Sequence, residues 1–194
     1  MKLVFATNNL NKLSEIRSLV PSRIEILSLK DINCNEEIPE TTPTLEENAL
    51  QKAKFVFDNY GFNCFADDTG LEIDALGGEP GVYSARYAGE ECSAENNINK
   101  VLSKLVSNKD RRAKFRTIIA LIIDGEEALF EGECRGCIAK QKIGVEGFGY
   151  DPIFIPDGFE LTFAEMNKNK KGEISHRGNS VKKLVDFLSC YSVF

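Results

Sequence analysis

Phe65-Ala66-Asp67-Asp68-Thr69-Gly70-Leu71-Glu72 is the stretch where we expect the chemistry of this chain, because two adjacent carboxylates end an apolar run and Thr-Gly follows them directly. The run from Phe62 to Ala66 predicts a buried strand, and Gly70 predicts a tight turn just past the acids. Asp67 and Asp68 are therefore expected at the carboxyl end of a strand, the usual address of an active site in α/β proteins. Since neighbouring strand side chains point to opposite faces, we expect Asp68 to face a cleft and Asp67 the supporting structure. The same composition also suits an ordinary turn.

Length and composition indicate a globular protein. The 194 residues fit one domain spanning 1–194, with two lobes equally compatible, and 42% are hydrophobic and 28% charged. No apolar run approaches the ~20 residues of a membrane span, and no signal peptide is recognisable, so we expect a cytoplasmic protein without membrane contact. The net charge of -6 argues against general nucleic-acid binding.

The six cysteines predict reduced thiols. They fall largely within apolar or strand-like stretches, and Cys134 and Cys137 form a lone C-x-x-C motif. With one histidine in the chain, a four-ligand zinc site is hard to assemble. A redox or zinc site is therefore not favoured.

The amino terminus reads as strand, polar loop and helix. Lys2 to Ala6 is apolar, Thr7 to Asn9 is polar, and apolar residues recur at helical spacing from Leu10. Such a junction points N–H groups and a helix dipole at a bound anion, and Lys12 adds an ammonium. The alternative is that asparagine caps the helix and that Lys12 is a solvated charge.

An acidic loop and a helix precede the two aspartates. After a strand at Ile24 to Leu29, residues 31–43 read as an acidic loop. Any one of Glu36, Glu37 and Glu40 could meet Asp68 across a cleft, or could simply be solvated. A capping box at Thr44 to Glu47 opens a helix that ends at Gly61. On its polar face, Asn48 and Lys52 lie one turn apart and could address the same site.

The middle of the chain mixes helix and hairpin patterns. Ser93 caps a predicted helix, and strands at 115–123 and 128–139 flank a hairpin turn at Asp124-Gly125. Because strict strand–helix alternation is absent, we expect a mixed sheet with flanking helices in the α/β class.

Two loops near the carboxyl terminus carry further candidates. Gly147 to Pro152 contains Phe148, whose ring could stack on a base, although a core position is the common role of phenylalanine. Ser175 is a candidate N-cap, which puts His176 and Arg177 in a first helical turn, where the dipole disfavours cations. A charge against local preference indicates that another group compensates it. Taken alone, His176 also fits a hydrogen-bonded surface residue.

Seven motifs in order make the sequence resemble the inosine triphosphate pyrophosphatase family from end to end. Asn8 stands where many members have Gly, Thr69 where many have Ser, and Glu146 where Gly is common. None of these changes removes a group that the chemistry needs. The motifs are Ala6-Thr7-Asn8-Asn9 with Lys12, Glu47-Asn48-Ala49 with Lys52, Ala66 to Leu71, Leu76-Gly77-Gly78 with Pro80-Gly81, Ser84-Ala85-Arg86-Tyr87, Gly147 to Pro152, and Ser175-His176-Arg177-Gly178.

The resemblance implies a long mixed twisted sheet with helices forming two lobes around a central cleft, a homodimer, and hydrolysis of noncanonical purine nucleoside triphosphates. It implies that Glu40 and Asp68 hold Mg²⁺ and that Asp68 takes the proton of the attacking water. The implied substrate-binding residues are Thr7, Asn8, Asn9, Leu10, Asn11, Lys12, Lys52, Thr69, Phe148, Gly149, Tyr150, Asp151, Lys171, His176 and Arg177.

Base selection would depend on the purine 6-keto oxygen. Donors aimed at that oxygen, with Arg177 a candidate, would be left unpaired by the 6-amino group of adenine, which explains rejection of ATP. Guanine must be excluded at its 2-position. Two alternatives remain open, a related pyrophosphatase acting on modified pyrimidines or dTTP, and a nucleotide-binding module without turnover.

Overall fold

The computed structural model describes residues 1–191 and has a mixed sheet with flanking helices. The strand order is β2-β1-β3-β5-β6-β7, with β4 paired to β3. β1 is parallel to β2 and β3, whereas the β3–β4 and β6–β7 pairs are antiparallel, which confirms the predicted mixed sheet. The strands are β1 Lys2–Phe5, β2 Glu25–Leu27, β3 Cys64–Ile73, β4 Pro80–Gly81, β5 Arg112–Ile123, β6 Glu126–Ile138 and β7 Phe154–Pro156; the helices are α1 Leu10–Leu19, α2 Leu45–Tyr60, α3 Ala94–Lys104, α4 Lys168–Ile174 and α5 His176–Tyr191.

Local capping and turn signals set most element boundaries. The Thr44 hydroxyl accepts from the Glu47 N–H at the start of α2, and Ser93 caps α3 in the same way. Gly61 ends α2 with a positive φ of 71°. The Asp124-Gly125 turn between β5 and β6 also has two positive φ angles, 53° and 86°, as a tight hairpin requires.

The predicted turn after the two aspartates is wrong, because β3 continues through them to Ile73. Gly70 lies within the extended strand, where the backbones of β3 and β4 approach each other closely. A Cβ at Gly70 would lie 2.8 Å from the Gly81 carbonyl oxygen on β4. The glycine therefore lets β4 pair with β3, and Asp67 and Asp68 lie inside a long strand.

The chain divides into two compact units, each with its own core. Unit 1 comprises residues 1–68, 117–132 and the segment from Arg177 onward, and unit 2 comprises 69–116 and 133–176. In the core of unit 1 the rings of Phe5 and Phe65 stack, with their centroids 4.7 Å apart. In the core of unit 2 the ring centroids of Phe115 and Phe154 are also 4.7 Å apart. Within residues 1–191, no helix has the length and apolar character needed to cross a membrane.

Candidate active site

The first cluster of unit 1 centres on the ammonium of Lys52, which contacts two carboxylates. Its Nζ forms an ion pair with Glu40 and lies 3.5 Å from Asp68 Oδ1. Asn48, one turn earlier on α2, donates from Nδ2 to Asp68 Oδ2 at 3.3 Å. The predicted shared face of α2 is confirmed, since both Asn48 and Lys52 are buried and directed at Asp68.

Burial and charge shift the proton affinities in this cluster. Burial raises the pKa of Asp68 above its ordinary value, Lys52 and Lys12 oppose the rise, and the neighbouring carboxylate of Glu40 adds to it. Burial alone would lower the pKa of Lys52, but Asp68 and Glu40 together raise it. The site thus holds a protonated amine beside a carboxylate with enhanced basicity.

The Glu40 and Asp68 carboxylates fit a hard divalent cation. Their mutual repulsion, which contributes to the raised pKa of Asp68, would be relieved by a positive ion. Among the described residues, no group of three or more His, Cys, Asp or Glu side chains could hold a metal. Two carboxylates suit Mg²⁺, which takes its remaining ligands from phosphates and water.

The second cluster of unit 1 is built around Asp67, whose side chain is fully buried. Asp67 Oδ1 accepts from Lys12 Nζ at 2.9 Å, and Oδ2 accepts from Nε and Nη2 of Arg177, both at 3.1 Å. Arg177 Nη1 donates to Glu15 Oε2 at 2.5 Å. Lys12 and Arg177 hold the pKa of Asp67 far below its ordinary value despite burial, so this carboxylate is ionised.

The polar loop before α1 caps the helix, as one of the two sequence-based interpretations predicts, whereas anion binding by this loop stays a prediction. Asn9 caps the helix, accepting from the N–H groups of Asn11 and Lys12 at 2.9 and 3.2 Å. The alternative of Lys12 as a solvated charge is wrong, because its side chain is only 15% exposed and paired with Asp67. Thr7 accepts from the Asn9 N–H at 3.2 Å. Asn8, Asn9, Leu10 and Asn11 are exposed to solvent.

In unit 2 the loop after β6 is organised by the carboxylate of Asp151. Its Oδ2 accepts from the Phe148 N–H at 2.8 Å and from Lys171 Nζ at 2.6 Å. The Lys171 ammonium also lies 5.0 Å from the centre of the half-buried Phe148 ring. Gly147 has φ of 74°, and a Cβ there would lie 2.0 Å from Asp151 Oδ2, so the carboxylate needs a glycine beside it. Gly149 and Thr69 are half-buried.

Tyr150 and His176 belong to the interior of unit 2. The Tyr150 hydroxyl donates to the Ser84 carbonyl at 2.8 Å. The ring of His176 stacks on Phe115 with centroids 4.4 Å apart and is 3% exposed, so the surface interpretation of this histidine is wrong. Contact of either residue with substrate stays a prediction.

The sequence pattern marked Asn48 and Asp67 only as neighbours of Lys52 and Asp68, and it gave Glu15 no role. The helical spacing of Asn48 from Lys52 indicated a shared target, and the adjacency of Asp67 to Asp68 indicated a position near the same site. Glu15 lies three residues after Lys12 on α1, and helical spacing puts the two on neighbouring positions. The partner of Glu15, Arg177, lies 162 residues away, so the pattern on α1 did not reveal it.

Known proteins resemble this chain over nearly its whole length. A dITP/XTP pyrophosphatase of Christiangramia forsetii is 58% identical over 189 residues, covering 97% of this chain and 100% of the relative. One from Bacillus subtilis is 46% identical, with 95% and 96% covered. The solved Ham1 protein of Staphylococcus aureus is 41% identical with a TM-score of 0.89, covering 98% of this chain and 100% of that one. The Ham1 family model matches residues 3–187, and the chain therefore belongs to the Ham1 family.

Proposed function

We propose that this protein hydrolyses noncanonical purine nucleoside triphosphates, namely dITP, ITP, XTP and dXTP, to the nucleoside monophosphate and pyrophosphate. Such an activity would cleanse the nucleotide pool and keep deaminated purines out of DNA and RNA. The observation that carries the proposal is Lys52 held between Glu40 and Asp68, because it joins a phosphate-binding cation to two metal-binding carboxylates. The names of the relatives, dITP/XTP pyrophosphatase, support the substrate class.

At the phosphate end, Asp68 is the proposed general base. A raised pKa makes its carboxylate a better proton acceptor for the attacking water, and Asn48 fixes its orientation through Oδ2. Mg²⁺ held by Glu40 and Asp68 would neutralise phosphate charge and favour attack at phosphorus. Lys52, Lys12 and the polar loop Thr7–Asn11 supply donors to the triphosphate oxygens.

At the base end, Phe148 is the proposed stacking surface for the purine. Asp151 fixes the loop through the Phe148 N–H and orients Lys171, whose ammonium lies beside the ring. A donor in this group paired with a 6-keto oxygen would lose its partner when adenine presents a 6-amino group. Gly149, Tyr150, His176 and Thr69 complete the proposed substrate-binding set.

Three further properties of the protein belong to this proposal. We infer dependence on Mg²⁺ and a homodimer from the family resemblance, and we propose a cytoplasmic location. Chelation followed by readdition of Mg²⁺ tests the first, and light scattering of the purified chain tests the second. Fractionation of cells producing the protein tests the third.

Product identity tests the proposed reaction. Purified protein is incubated with ITP and Mg²⁺, and the products are separated by anion exchange. We expect IMP and pyrophosphate in equal amounts, without IDP. Formation of IDP and orthophosphate would show cleavage at the wrong anhydride, and an absence of turnover with tight ITP binding would favour the nucleotide-binding module.

A further inference from the structure

The side chain of Arg177 is one of the most deeply buried in the described part of the chain, with 2% exposed. It lies in the first turn of α5, where the helix dipole disfavours a cation. Two carboxylates compensate its positive charge, since Asp67 accepts hydrogen bonds from Nε and Nη2 and Glu15 accepts one from Nη1. The guanidinium therefore directs all three of its nitrogen positions at acids of unit 1.

Asp67 divides its two oxygens between two cations. Oδ2 is committed to Arg177 and Oδ1 to Lys12, so the guanidinium fixes the rotation of the carboxylate that receives Lys12. The order of charges is Lys12, Asp67, Arg177, Glu15. The two central side chains are 0% and 2% exposed, whereas the side chains at the two ends are each 15% exposed. Lys12 is thus the partly accessible cation of the network.

We propose that Asp67, Arg177 and Glu15 are positioning residues that hold the Lys12 ammonium in place for the phosphates of the substrate. This inference rests on the proposed function and assigns Arg177 an action through Asp67, in place of contact with the 6-keto oxygen. One ion pair leaves further N–H groups of the ammonium to donate to a phosphate, because an ammonium has three donors. The network thereby orients the Lys12 ammonium before the substrate binds.

Stability alone is a poor explanation for this arrangement. Burying the charged Asp67 and Arg177 carries a desolvation cost that apolar side chains of similar size would avoid. A positioning role and a purely structural role predict different coupling. If Glu15 acts through Lys12, removing Lys12 abolishes the effect of changing Glu15, whereas independent structural effects would add.

A double-mutant cycle with inorganic tripolyphosphate as the probe tests the inference. Calorimetric binding in the presence of Mg²⁺ is measured for the wild type, Glu15→Gln, Lys12→Met and the double variant. Glu25→Gln is the matched control, because Glu25 is an exposed acid paired only with exposed Lys2 among the described contacts. This probe has no base and requires no turnover, so its result is independent of whether ITP is the substrate.

We expect Glu15→Gln to weaken tripolyphosphate binding by about fivefold and Lys12→Met by about tenfold or more, with the double variant no weaker than Lys12→Met. The control should bind as the wild type does. Multiplicative losses in the double variant, or unchanged binding by a folded Glu15→Gln, would overturn the inference. An Arg177→Lys variant adds a second readout, kcat/KM for ITP and ATP. Equal fractional losses support positioning, and a loss confined to ITP would assign Arg177 to the base and overturn it.

Discussion

Asp68 is the residue on which the proposed chemistry depends most. Asp68→Asn keeps the size of the side chain but removes charge and proton acceptance, so we expect turnover to fall by at least ~10²-fold. Pyrophosphate release from ITP measures the loss, and circular dichroism checks the fold. Asp186→Asn, a change of the same kind on an exposed position of α5, should be silent. Near-wild-type turnover by folded Asp68→Asn would eliminate Asp68 as the base.

Glu40 has a different proposed task, the binding of Mg²⁺. Glu40→Gln removes one carboxylate ligand, so the magnesium concentration giving half-maximal rate should rise by about tenfold, while high Mg²⁺ restores much of the activity. Glu37→Gln alters an exposed acid of the same loop and should leave the titration unchanged. If both variants titrate like the wild type, the second ligand is another residue.

Phe148 has two possible roles, base binding and packing, because its ring is half-buried beside Lys171. Phe148→Ala should raise KM for ITP through lost stacking worth about 1 to 3 kcal/mol, a magnitude taken from aromatic platforms for single-stranded nucleic acids. Phe62→Ala is the control, since that ring is 41% exposed and outside the proposed site. A lower melting temperature with unchanged KM would make Phe148 a core residue only.

At the scale of elements, the β3–β4 pairing depends on Gly70. In Gly70→Ala the new Cβ would lie 2.8 Å from the Gly81 oxygen, and forcing these backbones apart should destabilise the protein by about 2 to 3 kcal/mol. Urea unfolding followed by circular dichroism measures the change. In Gly61→Ala the new Cβ would meet no atom within 4 Å, but alanine would have to keep a positive φ of 71°. We therefore expect a loss of stability of about 1 kcal/mol there. A smaller loss for Gly70→Ala than for Gly61→Ala would contradict the close-approach account.

Element types with strong local signals were predictable from the sequence. The caps at Thr44 and Ser93, the stop at Gly61 and the hairpin at Asp124-Gly125 act through neighbouring residues, and the structure confirms them. The role of Gly70 was not predictable in this way, because the atom that demands a glycine belongs to another strand. α4 was missed as well, since its sequence KNKKGEI has little apolar periodicity.

The candidate site was predictable where residues share an element and not where distant segments meet. Asn48 and Lys52 are one helical turn apart, so their common target could be inferred. The first-turn position of Arg177 indicated a compensating group, but its identity required the fold that brings Asp67 to it across 110 residues. Resemblance supplied the roles of Glu40 and Asp68, which spacing alone left open.

At the scale of the whole molecule, six free thiols should differ widely in reactivity. Cys92 and Cys190 are exposed, whereas burial raises the pKa of both Cys64 and Cys134 to about 12. Because the thiolate is the reactive form, we expect two fast thiols in a colorimetric thiol titration near pH ~8, and six after unfolding. A double variant, Cys92→Ser with Cys190→Ser, should lose both fast thiols. Rapid, reductant-reversible pairing of Cys134 with Cys137 would instead revive the redox interpretation.

Substrate choice distinguishes a pyrophosphatase for deaminated purine nucleotides from its alternatives. The measurement is kcat/KM for pyrophosphate release from dITP, ITP, XTP, GTP, ATP and dTTP, each with Mg²⁺, on one preparation of the wild-type protein. We predict that the three deaminated purine substrates exceed ATP by about 10²-fold or more, because the 6-amino group of adenine leaves a donor of the site without its acceptor. GTP keeps the 6-keto oxygen, so we expect it to be disfavoured through its 2-amino group instead. A preference for dTTP, or equal values for ITP and ATP, would contradict the proposed function.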